Sequence, residues 1–322
     1  MTENGYAVRL EGVTKRFGKH TAVSEFDLEV PRGIIYGLLG PNGSGKTTTI
    51  RMIMGILLPD EGSVTLFGQD PDVTRRTKVG YLPEERGVYR KMKCLEFVTF
   101  LAEIRGVPRA EGRRRALEWL ERLGLPEWGD RRVEDLSKGM QQKIQFIGTV
   151  IHEPELLILD EPFSGLDPIN QDVLEEIVRD FRAKGTTILF STHLMDQAER
   201  LCERVCLISK SRKVIDADMK ELKEAERGGI VAVEFEGPDG WIAGPEVERV
   251  EAVNGGFHLM LTAGADHQAI LRRGVSAGAM ILRFDLVEPR LHDIFVRYAG
   301  ADASGDAGTP TAGAGRTNVG DA

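Results

Sequence analysis

Gly40-Pro41-Asn42-Gly43-Ser44-Gly45-Lys46-Thr47 decides how the rest of the chain is read. It follows the apolar run IIYGLL (34–39), which has the length of a strand buried on both faces. It precedes TTTIRMIMGILL (47–58), which reads as a helix. Strand, glycine loop and helix in that order fit the phosphate-loop pattern. The glycines let backbone N–H groups turn inward around phosphate oxygens, and the helix N-terminus favours the same anion. Lys46 is placed to reach the β- and γ-phosphates, Thr47 to ligate Mg²⁺, and Thr48 to continue the loop into the helix.

A second element supports the first. Leu156-Leu157-Ile158-Leu159 reads as a buried strand ending in Asp160 and Glu161. In open α/β sheets, ligands bind at the carboxyl ends of strands, so these acids fall beside the phosphate loop. Asp160 is the candidate Mg²⁺ ligand and Glu161 the group that polarises an attacking water. These two elements by themselves admit many P-loop NTPases, kinases and GTPases among them.

Leu136-Ser137-Lys138-Gly139-Met140-Gln141-Gln142-Lys143 narrows the field. It resembles the LSGGQ signature of the ATP-binding cassette (ABC) family, matching at Ser137 and Gly139 and departing at Lys138 and Met140. Ser137 can cap a helix whose N-terminus points at an anion. Ser164-Gly165-Leu166-Asp167 follows the acidic strand as the family's D-loop does, and Ser191-Thr192-His193 ends the next strand as its switch histidine does. Phe17 sits where the family places an aromatic ring on adenine. The resemblance covers residues 7 to 300.

What the resemblance implies is an ATPase. Glu161, His193 and Lys46 would carry catalysis. Phe17, the loop from Gly40 to Thr48, Ser137 and Gly139 would bind ATP, and Thr47, Glu84 and Asp160 would hold Mg²⁺. Glu84 is a departure: within LPEERGVY it stands where the family usually has Gln. Its carboxylate can still ligate Mg²⁺ but adds charge and loses an amide donor. LPEERG and the C-terminal EPRLHDIFVRYAG together resemble exporter cassettes that include sodium-extrusion ATPases. Family members pair head to tail, so one cassette implies a homodimer, and a membrane permease on a separate chain is the expected partner. Cassette proteins of translation usually carry two cassettes, and those of DNA repair a long internal coiled coil; neither is seen here. Intact Lys46, Asp160, Glu161 and His193 argue against a regulatory module that does not turn over.

Composition sets the bounds. The chain has 322 residues, 41% apolar and 29% charged, with a formal net charge of −8. That excludes a chain built as a whole to coat nucleic acid or anionic lipid. Three cysteines, Cys94, Cys202 and Cys206, form no disulfide framework and suit a reducing compartment. The first residues lack a signal pattern, and no apolar run is long enough to span a bilayer. The expected location is the cytoplasmic face of the membrane, through the permease.

The expected architecture is an α/β P-loop cassette over residues 1–220 with an antiparallel β part and a helical insertion at about 88–150. VTFLAEIRGV and RRRALEWLERLGL give that insertion its helical period. A helix is expected from about Gln171 to Lys184. A small α+β domain follows over 221–300, its core drawn from Val233, Phe235, Phe257, Leu259, Leu261, Ile281, Phe284, Ile294 and Phe295. Residues 301–322, almost devoid of bulky side chains, read as a disordered tail.

Overall fold

The computed structural model describes residues 5–304 except 86, 88, 227, 228, 254 and 263. The chain opens with β1 (Tyr6–Phe17), β2 (His20–Pro31), β3 (Ile35–Leu39), α1 (Lys46–Ile53), β4 (Glu61–Leu66), α2 (Pro71–Lys78) and β5 (Val79–Leu82). The helical insertion holds α3 (Cys94–Ile104), α4 (Arg109–Arg122) and α5 (Lys138–Val150). Then come β6 (Leu156–Asp160), α6 (Pro168–Ala183), β7 (Thr187–Thr192), α7 (Met195–Leu201), β8 (Arg204–Ser209), β9 (Arg212–Asp218) and α8 (Met219–Ala225). The last segment holds β10 (Ile230–Glu236), β11 (Val247–Val253), β12 (Gly256–Leu261), α9 (His267–Ser276), β13 (Met280–Leu286) and α10 (Leu291–Ser304).

The central sheet has the order β5-β6-β7-β3-β8-β9, parallel except for β9. Every residue of β3, β6 and β7 is buried, as strands covered on both faces require. Their side chains alternate between two cores. Leu156 and Ile158 of β6 join Tyr36, Leu38 and Leu189 on one face, beneath α1 and the antiparallel sheet β2-β1-β4. Leu157 and Leu159 join Ile188 and Phe190 on the other face, beneath the helical insertion. All three cysteines are buried and free, so Cys202 and Cys206 are packing residues.

Several elements differ from the sequence expectation. Helix α6 starts earlier, at Pro168. Asp167 caps it, accepting the Asn170 N–H at 3.1 Å, and Pro168 has the preset φ that suits a first turn. The β8–β9 hairpin was not expected; it turns through Lys210 and Ser211, both at positive φ.

The C-terminal sheet β11-β12-β10-β13 has a core of its own, with Val231, Val233, Leu259, Leu261 and Ile270 around a buried Trp241 that the sequence reading omitted. Ile294 and Phe295 are not part of it. They pack with Leu291 against the large core beneath the central sheet, as do Met219 and Leu222 of α8. The apolar period of α10 reveals that the helix has a buried face, not which core receives it. Glu199 of α7 accepts the Leu291 N–H, and the Tyr298 hydroxyl donates to Glu226 at 2.8 Å. The chain thus returns to the first core after leaving it. Leu291→Ala should cost about 2–5 kcal/mol in a urea unfolding titration that monitors the whole chain, as a buried leucine truncation does. A cost under about 1 kcal/mol would mean α10 is only loosely laid on. Helix α10 is described to Ser304; the rest of the expected tail lies outside the described residues.

Candidate functional site

The phosphate loop is built by close backbone approach. Gly40 has φ 152°, and a Cβ there would stand 2.2 Å from the Ile208 carbonyl oxygen. Gly45 has φ 114° and a Cβ there would meet the Ala22 oxygen at 2.5 Å. No other residue type fits either position without moving backbone. Lys46 is only 6% exposed, and its ammonium donates to the carbonyl oxygens of Gly40 at 2.7 Å and Pro41 at 3.2 Å. Ser44 is buried with no partner for its hydroxyl. Burial lowers the Lys46 pKa, against the opposing pull of Glu161, Asp160 and Glu84.

The loop opens on a cleft of about 330 Å³. Phe17, Asn42, Gly43, Gly45, Lys46, Thr47, Thr48, Glu84, Asp160 and Glu161 all line it, so the fold brings together most of the residues singled out from sequence. Phe17 stands half exposed at one side, with the Lys15 ammonium 5.7 Å from its ring centroid. Lys15 is itself tethered to Asp60 at 2.9 Å, which fixes this end of β1. His20, across the hairpin turn from Phe17, also lines the cleft; its position at a turn gave no sign of this.

Asp160 is 1% exposed and neither of its carboxylate oxygens has a hydrogen-bond partner. Burial raises its pKa, and the charges of Glu84 and Glu161 add to the rise. The Ser191 and Thr47 hydroxyls lie close enough to pull its pKa down, though neither reaches hydrogen-bond geometry. A buried carboxylate without partners is costly, and a divalent cation is the partner that would remove the cost. Among the described residues no three His, Cys, Asp or Glu side chains converge into a resident cation site. The donor set therefore fits a cation held by one or two carboxylates, a hydroxyl and the phosphates it arrives with, the mode typical of Mg²⁺.

Glu161 follows on the next residue, 8% exposed, at φ 49°. A non-glycine residue in the left-handed region is strained, and such strain persists where surroundings enforce it. Here the enforcement is visible. The Glu161 N–H donates to the Ser191 carbonyl at 2.9 Å. Glu161 Oε1 accepts the His193 N–H at 2.9 Å and lies 2.7 Å from His193 Nδ1. Its Oε2 accepts the Thr192 hydroxyl at 3.2 Å. Strand β7 thus delivers Ser191, Thr192 and His193 to the two acids of β6 as consecutive residues. The sequence singles out only His193 of these three; Ser191 holds the Glu161 backbone, and Thr192, wholly buried, holds the second carboxylate oxygen.

Ser137 and Gly139 are not brought to the cleft. Ser137 is exposed at the N-terminus of α5, accepting the Met140 N–H at 3.3 Å, and Gly139 lies against Leu166 and Gly165. Gln142, two residues further on than Met140, is buried and donates to the Pro162 carbonyl at 3.1 Å, so α5 is keyed to the turn after Glu161.

With this geometry in place, comparison with known proteins decides the family. Residues 23–164 match the model of the ABC transporter family, and residues 218–299 match the C-terminal domain of ATP-binding protein DrrA1-3-like proteins. The chain is 41% identical over 293 residues to an uncharacterized ABC transporter ATP-binding protein, YhaQ, of Bacillus subtilis, a match spanning 91% of this chain and 98% of that one. The chain belongs to the ATP-binding proteins of ABC transporters. It is also 35% identical over 301 residues to the Nod factor export ATP-binding protein I of Ralstonia nicotianae, covering 91% of this chain and 94% of that relative. Among solved structures, an ATP-binding subunit of an ABC transporter superposes with a TM-score of 0.64 at 29% identity, over 68% of this chain and 93% of that one. This ABC protein is accordingly an ATPase of the P-loop class, with the phosphate loop and the acidic strand both inside the first matched segment.

Among the described residues no helix is long and apolar enough to cross a membrane.

Proposed function

We propose that this chain is the ATP-hydrolysing subunit of an ABC exporter, pairing with a second copy of itself and driving a membrane permease on a separate chain. One observation carries the reading. The phosphate loop and the acid pair line one cleft, with His193 bonded to Glu161, while exposed Ser137 and half-buried Gly139 do not line it. Such a chain holds two half-sites, and a head-to-tail pair would complete both. Ile169, after the D-loop, and Leu194, after His193, are large apolar side chains left in solvent beside the site, 77% and 46% exposed, as a closing partner would use.

In this reading Lys46 and the loop N–H groups hold the phosphates, Phe17 stacks on adenine, and Ser137 and Gly139 reach the nucleotide of the partner copy. Glu161, held by Thr192 and His193, orients the attacking water. Thr47, Asp160 and Glu84 would hold Mg²⁺, which when bound neutralises developing charge at the phosphate oxygens. Because Glu84 lines the cleft but is exposed, Glu84→Gln should keep ATPase activity within about tenfold of wild type. Loss of all activity in that variant would show that the carboxylate serves the chemistry itself.

The insertion offers a docking face. Tyr89, Phe100 and Ile104 are exposed, with Tyr89 packed edge-on against Phe97 and Phe100 at 6.1 Å. The export direction is supported by the Nod factor export relatives. The division into residues 1–220 and 221–300 is likewise proposed, with α8 and α10 as the seam, and the second part is assigned dimer support or regulation. The location follows from the permease: the cytoplasmic face of the membrane. No nucleic-acid partner is proposed for a chain of net charge −8. The test is co-expression with the polytopic membrane protein of a neighbouring reading frame. The two should co-purify, and Tyr89→Ala/Phe100→Ala should release the permease while ATP binding persists. Retention of the permease by that variant would remove the docking face.

A further inference from the structure

A second cavity, of about 590 Å³, lies at the other end of the central sheet. It is larger than the nucleotide cleft. Its walls include Arg32, just before β3, Pro154 and Glu155, just before β6, and Lys184 to Thr187, leading into β7. Those three strands carry Gly40, Asp160 and Thr192 at their opposite ends. The cavity is therefore remote from the nucleotide cleft, and nothing in the proposed function uses it.

The lining has two features that point to one kind of ligand. The first is aromatic. Trp119 and Phe181 stack with their planes within 3° and centroids 6.1 Å apart. The Arg122 guanidinium lies 5.1 Å from the Trp119 ring and that of Arg32 4.8 Å from the Phe67 ring. A ring already stacks on Trp119 and cations lie over both rings, Lys78 joining Arg32 over Phe67 at 5.4 Å.

The second feature is charge. Each acid of the lining has a cation: Glu118 pairs with Arg114, Glu153 with Arg115 at 3.4 Å, and Glu155 with Lys78 at 3.0 Å. Arg122 is paired with Asp180. Arg32 and Lys184 line the cavity and have no ion-pair partner among the described residues. With its acids neutralised, the cavity keeps positive charge beside aromatic faces. A flat solvated basic patch would supply the charge without the concave volume and the stacked rings. A packing defect would supply the volume without the charge. The size falls in the range of small-molecule sites, about 300–1,000 Å³.

We propose that this cavity binds a planar aromatic anion, its ring against the Trp119 and Phe67 walls and its carboxylate, sulfonate or phosphate on Arg32 and Lys184. Guanidinium recognition of such oxyanions is charge-assisted and directional. The chemistry has two sources, a nucleoside monophosphate or an aromatic acid without ribose.

The test is calorimetric titration of the full chain with 1-naphthalenesulfonate. One saturable site is expected, with neutral 1-naphthalenemethanol at least tenfold weaker. Arg32→Gln/Lys184→Gln should weaken binding at least tenfold, with an unchanged thermal melt as the fold control. Lys184 is exposed, so Lys184→Gln alone gives a second variant that leaves packing untouched and should weaken binding several-fold. Lys46→Ala, which disables the phosphate loop, should leave this binding unchanged. Displacement of the probe by AMP in the Lys46→Ala chain would assign the site to nucleotides. No displacement would assign it to aromatic acids lacking ribose. Absence of saturable binding, equal affinity in the Arg32→Gln/Lys184→Gln chain, or loss of binding in Lys46→Ala would overturn the proposal.

Discussion

Glu161→Gln should lower ATP turnover by about 10²–10⁴-fold, the range expected when a positioned acid–base group is removed. ATP should still bind. The substitution keeps the side chain's size; the amide oxygen can accept the His193 N–H while the amide NH2 donates to the Thr192 hydroxyl in place of the bond now accepted from it, so the strained backbone at Glu161 stays supported. What is lost is the negative charge facing the cleft. A steady-state phosphate-release assay beside a nucleotide titration separates the two quantities. Turnover near wild type would shift the role to His193, whose Nδ1 lies within hydrogen-bond distance of the same carboxylate.

Lys46→Ala should weaken ATP binding by about 10- to 100-fold, the equivalent of one hydrogen bond to a charged group at about 1.5–3 kcal/mol. Lys46 now satisfies its ammonium on the Gly40 and Pro41 carbonyls, which are already fixed by the loop. Alanine therefore removes a buried charge without breaking the loop's backbone, and the thermal melt should not fall. Undiminished affinity in a fluorescent-nucleotide titration would remove the phosphate-loop assignment. A melt that collapses would instead make Lys46 a structural tether.

These two predictions rest on parts of the molecule that were legible early, for a physical reason. A phosphate loop writes its backbone demands into consecutive residues: glycine at 40, where the Ile208 carbonyl leaves no room for a side chain, and glycine at 45, where Ala22 leaves none. Likewise an acid pair after four apolar residues encodes both its strand and its position. Thr192 was harder to read. Its hydroxyl meets Glu161 across 31 residues of sequence, and only the parallel register of β6 with β7 brings them together. Periodicity located the buried face of α10 but gave no address, so Ile294 and Phe295 were assigned to the wrong core. The β8–β9 hairpin escaped for another reason. RVCLIS is short, and its turn uses Lys210 and Ser211 at positive φ where glycine or asparagine would have marked it. Ser137 and Gly139 are recognisable as a motif, yet that Ser137 is exposed and that neither residue lines the cleft is visible only in the fold.

The proposed head-to-tail pair turns on Ser137, exposed at the N-terminus of α5 and off the cleft of its own chain. The most direct measurement is sedimentation velocity of the Glu161→Gln chain with and without ATP and Mg²⁺. A species of twice the chain's mass is expected with ATP, lost again when Ser137 is replaced by Arg in the same background. A chain that binds ATP to saturation and sediments as a monomer would contradict that pairing.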